Sequence, residues 1–158
     1  MRPWVIVAFV AFGLSNPVFA QQKTLAQKLV GTWELVSIGE DYGNGVVNPF
    51  GNSFKGSYHF DPDGRVMFMA IGDDLPSNPA RKPQESARLV VAWFGAYTVD
   101  DAAGTFTWTP ERATIPALDG KPRTVQTTWN GDNEFTAKAT VTRPEGTFTT
   151  TLVYKRLN

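Results

Sequence analysis

Short turn signals divide most of this sequence into segments of strand length. In 61–64 a proline pre-sets the turn and Gly64 accepts a positive φ, and further turns are indicated at 101–104, 130–131 and 143–146. The segments between them are rich in aromatic and β-branched residues. The predicted strands are 32–39, 53–60, 65–71, 92–100, 105–111, 123–129, 133–142 and 147–155. Eight consecutive strands with mostly short connections predict an antiparallel meander, and closing it into a barrel removes both edges.

The first predicted strand follows a short helical segment at 24–30, for which Thr24 is the expected N-cap. Such a short helix needs to pack over one end of the barrel. Strand alternation places Trp33, Leu35 and Ser37 on one face and Thr32, Glu34, Val36 and Ile38 on the other. Neither face is purely apolar, so the sequence leaves open which of them points inward.

Gly31-Thr32-Trp33 after a helical segment resembles the opening motif of the lipocalins and the wider calycin group. The resemblance implies that Trp33 closes one end of the barrel and that a basic residue of the last strand packs across it. Gly31 allows the tight entry into the strand. Arg156 is the expected partner, and Lys155 is the alternative.

The stretch 93–100, Trp-Phe-Gly-Ala-Tyr-Thr-Val-Asp, resembles a strand of the bacterial lipocalin-like domain family. The resemblance extends over residues 29–156. Members of that family often carry histidines on the next strand, but 106–109 reads Phe-Thr-Trp-Thr, so no role of those histidines is carried over. The resemblance implies an all-β, eight-stranded antiparallel up-and-down lipocalin-like barrel with a short N-terminal helix.

The first twenty residues have the organisation of a secretory signal peptide. Arg2 precedes an apolar run over 4–14, and Val18 and Ala20 supply small side chains at the −3 and −1 positions. The run is too short to span a membrane. We therefore predict cleavage after Ala20, a single barrel domain over 21–158, and a periplasmic or secreted location without a stable membrane anchor. Because the chain has no cysteine, the exported domain must be stable through packing alone.

The charges are balanced, with 15 basic and 15 acidic residues. This balance leaves no basic excess for binding nucleic acid or a membrane surface. We expect no nucleic-acid partner and a monomer.

Few residues suggest catalysis or metal binding. His59 is the only histidine and there is no cysteine, so no zinc set is available. The Asp61-Pro62-Asp63-Gly64 sequence fails as a calcium loop because Arg65 and Val66 follow it. Adjacent acids at 73–74 and 100–101 are typical of solvated loops. We expect no metal, no cofactor and no catalytic residue.

Six aromatic residues on the predicted strands are candidates for lining a cavity, although each is also suited to the barrel core. These residues are Tyr58, Phe68, Trp93, Tyr97, Trp108 and Trp129. The first hypothesis is a binding protein for a small hydrophobic molecule, with loops 40–52 and 72–85 bordering the mouth. The alternatives are a calycin-type hydratase, cyclase or isomerase with an apolar substrate, and a filled barrel that acts as an interaction domain.

Overall fold

The computed structural model describes residues 23–51, 53–72, 90–143 and 146–157. The predicted signal peptide, almost all of the predicted loop 72–85 and residues 86–89 lie outside these ranges. The described elements, in chain order, are α1 (Leu25–Leu29), β1 (Gly31–Asp41), β2 (Val46–Val47), β3 (Phe54–Phe60), β4 (Arg65–Gly72), β5 (Val90–Asp100), β6 (Thr105–Ala113), a 3₁₀ turn (Pro116–Leu118), β7 (Arg123–Asn130), β8 (Glu134–Arg143) and β9 (Gly146–Arg156).

The strands form one antiparallel sheet that closes on itself. Apart from β2, each strand pairs with the next along the chain, from β1 with β3 through to β8 with β9, and β9 pairs back with β1. The closed eight-stranded up-and-down barrel predicted from sequence is therefore confirmed. It has one additional short strand, β2, which pairs with the end of β1.

A β-bulge in β1 explains why neither face of the first strand is purely apolar. The register with β9 pairs Leu35 with Tyr154 and then Ser37 with Val153, so one extra residue enters between the two pairs. Trp33 and Leu35 point into the barrel before the bulge, and Ile38 packs against the core after it. Odd-numbered residues thus point inward before the bulge and even-numbered residues after it, so a regular alternation does not describe the strand.

Helix α1 lies at the end of the barrel where β1 begins. Thr24 caps it in a capping box with Gln27, and the buried Leu25 and Leu29 face the barrel. The Leu25 amide also donates a hydrogen bond to the Asp101 carboxylate in the β5–β6 turn. This end is the closed end, and the opposite end, where β1 finishes and β9 begins, is the mouth. No helix in the described ranges is long and apolar enough to span a membrane.

Several predicted strand boundaries differ from those of the structure, mostly by one or two residues. The predicted strand 92–100 begins earlier, at Val90, because Val90 and Val91 pair with the neighbouring strand β4. The first strand continues to Asp41 rather than Gly39, and loop 40–52 then folds back through β2.

Candidate functional site

The closed end is built around the indole of Trp33, which is fully buried. Its ring makes edge contacts with Trp129 and Phe135, at centroid distances of 5.6 and 4.7 Å. Its Nε1 donates a hydrogen bond of 2.7 Å to the carbonyl oxygen of Leu29, the last residue of α1. The helix is thus held onto the barrel by both packing and a polar contact.

Arg156 lies across Trp33 and joins the last strand to the helix. Its guanidinium carbon is 4.1 Å from the centroid of the Trp33 ring. Its Nη2 and Nη1 donate hydrogen bonds of 2.6 and 2.9 Å to the carbonyl oxygens of Lys28 and Val30. These are carbonyls at the C-terminal end of α1, which would otherwise lack partners. Lys155, the alternative from sequence, points outward and pairs with Glu134 at 3.7 Å.

Gly31 is required by this arrangement for two reasons. Its φ of +124° lies in a region that residues with a side chain rarely adopt. A Cβ at this position would also lie 2.8 Å from the Arg156 Nη1, which is closer than a non-bonded contact allows. The glycine therefore makes room for the guanidinium.

Two of the six candidate ligand residues lie at the closed end. Trp129 stacks on Phe135 and donates from Nε1 to the Thr127 hydroxyl at 3.1 Å. The Tyr97 hydroxyl donates to the carbonyl oxygen of Asp61 at 2.8 Å. Burial and the nearby Asp61 and Asp63 raise the Tyr97 pKa. Both side chains thus have structural partners away from the mouth.

The other four candidates form one connected cluster. The Tyr58 ring lies in its middle, with edge contacts to Phe68 at 5.3 Å and to Trp93 at 5.5 Å. Trp93 stacks on Trp108, with centroids 4.2 Å apart and planes inclined by 15°. The cluster extends from the middle of the barrel toward the mouth, and Trp108 is only half-buried.

A cation and small side chains accompany the cluster on the mouth side. The Arg123 guanidinium lies 5.9 Å from the Trp108 ring centroid. The inner wall of β4 and β8 carries Ala70 and Ala137, which are buried, and the half-buried Ala139. Large rings fill the half of the barrel at the closed end, whereas methyl groups line this part of the half at the mouth. The inner wall of the mouth half thus carries small as well as aromatic side chains.

The loop after β1 contributes to the mouth, as expected for residues 40–52. Phe50 is buried against Phe54, with a centroid distance of 5.8 Å, and its amide donates to the Asn48 side chain. Tyr42 stacks on Phe148 at 4.7 Å. Ring contacts of its aromatic residues thus pack this segment against the rim of the barrel.

Glu40 is a buried residue of the mouth that the sequence did not single out. It is 8% exposed, lies opposite Thr150 and accepts a hydrogen bond of 2.8 Å from the Tyr42 hydroxyl. Sequence alone assigned it to a loop. The bulge that turns Ile38 inward also turns Glu40 inward. The sequence contains no pattern that predicts this bulge.

His59 and the groove beside it lie outside the barrel. The His59 Nδ1 is 2.8 Å from the Thr32 hydroxyl, and its Nε2 is 3.4 Å from the Asp61 carboxylate. A groove of about 410 Å³ runs along the outer wall between His59 and Arg112, over the exposed Met67, Met69 and Phe94. Phe68 and Trp93, two members of the interior cluster, also line this groove. Within the described ranges, no three His, Cys, Asp or Glu side chains lie close enough to hold a metal ion.

Comparisons with solved structures find barrels of low sequence identity. A redesigned β-barrel matches with 18% identity over 85% of this chain and 96% of that chain, with a TM-score of 0.46. The bovine odorant-binding protein in complex with a selenium-containing odorant matches with 18% identity over 87% and 74%, with a TM-score of 0.46. A redesigned barrel bound to DFHBI matches with 20% identity over 85% and 100%, with a TM-score of 0.44.

No curated protein matches this sequence at a significant level. In contrast, the family model for the lipocalin-like domain matches residues 30–157, which include every strand of the barrel. The match begins just before Gly31 and ends just after Arg156, so it contains the contact that closes the barrel. The chain belongs to the lipocalin-like domain family.

Proposed function

We propose that this protein binds a small hydrophobic ligand in the mouth half of its barrel. The observation that carries the proposal is the uneven interior. The closed half is filled by rings around Trp33, whereas the mouth half combines the stacked Trp93–Trp108 pair with a wall of small side chains. Aromatic faces beside small residues are typical of sites for apolar molecules.

The proposal is tested by titration with N-phenyl-1-naphthylamine, a neutral apolar dye whose emission rises in apolar surroundings. Trp108→Phe keeps an aromatic ring but reduces the stacking area on Trp93, so we expect its Kd to rise severalfold. Trp129→Phe is the matched control, since Trp129 packs at the closed end, and its Kd should equal that of the wild type. Dye binding that does not saturate, or equal weakening by the two substitutions, would contradict the proposal.

Native mass spectrometry of protein purified from its own host identifies any retained ligand.

We also propose that the protein is exported, with the barrel released into the periplasm or secreted. The support is the sequence of the first twenty residues, with its apolar run and the small residues Val18 and Ala20 before the cleavage point. Mass analysis of the mature protein should find Gln21 at the N-terminus. A soluble protein that retains Met1 in the cytoplasm would contradict export.

Glu40 supports a second candidate, a calycin-type enzyme with an apolar substrate. A carboxyl group buried at the mouth, hydrogen-bonded to Tyr42, is a suitable general acid or base for hydration or isomerisation. Glu40→Gln keeps the shape but removes the proton transfer. If the protein is such an enzyme, this variant loses turnover of the ligand identified by mass spectrometry while still binding it. Unchanged chemical identity of that ligand after incubation with the wild-type protein argues for binding alone.

A further inference from the structure

Two phenol groups lie deep inside the barrel at its middle. Tyr58 is 3% exposed and Tyr154 is 1% exposed, and their ring centroids are 5.4 Å apart. Both occupy inward positions, on β3 and β9. In contrast to Tyr97, whose hydroxyl donates to the Asp61 carbonyl, neither hydroxyl makes a hydrogen bond to any group in the described part of the chain. Burying a hydroxyl without a partner is unfavourable, so each has a donor to offer.

Small inward-facing side chains adjoin the two tyrosines on the side of the mouth. The inner positions next toward the mouth carry Ala70 on β4 and Ala137 on β8. A ligand in the mouth half would therefore have these two tyrosines at its inner end.

The aromatic surroundings of the two phenols favour a neutral ligand group over a charged one. Rings of Phe60, Phe68, Trp93 and Phe106 surround Tyr58, and Phe135 stacks on Tyr154 at 4.8 Å. The Arg156 guanidinium at the closed end is already bound to helix carbonyls, and the Arg123 guanidinium lies over the Trp108 ring, with Trp93 between that ring and Tyr58. An anion held between the two phenols would be desolvated without direct contact with either guanidinium, which is costly. A neutral acceptor carries no such cost.

Resting on the proposed function, we infer that Tyr58 and Tyr154 form a hydrogen-bonding site for a neutral carbonyl group at the inner end of an otherwise apolar ligand. A carbonyl oxygen has two lone pairs and can accept one hydrogen bond from each phenol. Burial raises the pKa of both tyrosines well above the usual value, and the neighbouring Tyr154 raises that of Tyr58 further. Both groups therefore remain neutral donors at physiological pH.

The experiment compares two ligands of similar shape, 2-acetylnaphthalene, which has a carbonyl, and 2-isopropylnaphthalene, which has none. Quenching of tryptophan emission in the mature protein gives the Kd of each. We expect the wild type to bind the ketone about tenfold more tightly than the hydrocarbon, and the preference to fall to near unity in the Tyr58→Phe/Tyr154→Phe double variant. Tyr97→Phe is the matched control and should keep the full preference, because its hydroxyl is bound to the Asp61 carbonyl.

A second measurement does not depend on the variants. The carbonyl stretch of bound 2-acetylnaphthalene in the wild-type protein should shift to lower frequency than in hexane, as a hydrogen-bonded ketone does. Equal affinity for the two naphthalenes, or an unshifted stretch, overturns this inference and leaves apolar binding intact. If the protein binds N-phenyl-1-naphthylamine but not the ketone, the carbonyl site is also overturned, while the proposed function stands. If neither the dye nor either naphthalene binds, the proposed function fails and this inference with it.

Discussion

Arg156 covers Trp33 from the last strand, with the guanidinium carbon 4.1 Å from the indole centroid, while two of its nitrogens bind the end of α1. One side chain thus joins β9, β1 and the helix. A cation over a partly desolvated indole contributes about 1–2 kcal/mol, and the hydrogen bonds to the helix add to this.

Trp33→Ala should therefore destabilise the protein by about 3–5 kcal/mol, as expected for loss of a buried large aromatic. Arg156→Lys should lose the planar stacking and part of the hydrogen bonding. Thermal melts of both variants and the double variant measure their coupling. Strict additivity, or a Trp33→Ala melt within a degree or so of wild type, would show that this contact does not hold the barrel closed.

Gly31→Ala should cost roughly 2–5 kcal/mol, because it combines an unfavourable positive φ with a Cβ placed against the Arg156 Nη1. Gly131→Ala is the matched control, since its φ is +66° and no heavy atom lies within 4 Å of the added carbon, so only about 1 kcal/mol is expected. Urea unfolding gives both values. Adding Arg156→Ala to Gly31→Ala should relieve the steric part, giving a total below the sum of the single effects.

The bulge in β1 predicts opposite outcomes for two adjacent substitutions. Ile38 packs against the core and Ser37 is exposed, so Ile38→Asp should cost more than about 2 kcal/mol and Ser37→Asp little. Chemical denaturation measures the difference. The reverse order of stability would mean that β1 alternates regularly, without the change of face after Leu35.

The two buried phenols predict a loss of stability at alkaline pH. Their pKa values are raised in the folded state, so above about pH 10, where an unfolded tyrosine ionises, the folded protein binds more protons than the unfolded one. Stability is therefore fully present below that pH and falls as the pH rises.

Tyr154→Phe should flatten this decline by up to about 1.4 kcal/mol per pH unit, whereas lysine titration affects both proteins alike. Urea unfolding at pH 9, 10 and 11 measures the slopes. Parallel curves for the variant and the wild type would rule out a perturbed Tyr154.

The architecture could be predicted from local signals, because turn residues such as Gly64 and Gly131 mark where strands end and the strands alternate with period two. The pairing of Trp33 with Arg156 follows from closure, since the first and last strands of a closed meander are neighbours. These features depend only on the order of strands and turns along the chain and on the common geometry of closed β-barrels.

The interior of the mouth could not be predicted in the same way. Glu40 turns inward only because of the bulge after Leu35, and bulges have no reliable sequence signal. Likewise, the sequence grouped Tyr97 and Trp129 with Trp93 as aromatics on strands. Which end of the barrel each one reaches depends on the shear between neighbouring strands, which is a property of the assembled sheet.

The position of α1 has a practical consequence for handling the protein. Both ends of the described chain emerge at the closed end: Lys23 reaches Asp132 beside α1, and the Leu157 amide donates to the Thr32 carbonyl at the start of β1. A tag, fusion partner or surface linkage at either end of the folded domain therefore attaches opposite the mouth. A barrel immobilised in this way presents its opening to the solution, so ligand capture can be measured on a sensor surface without blocking the entrance.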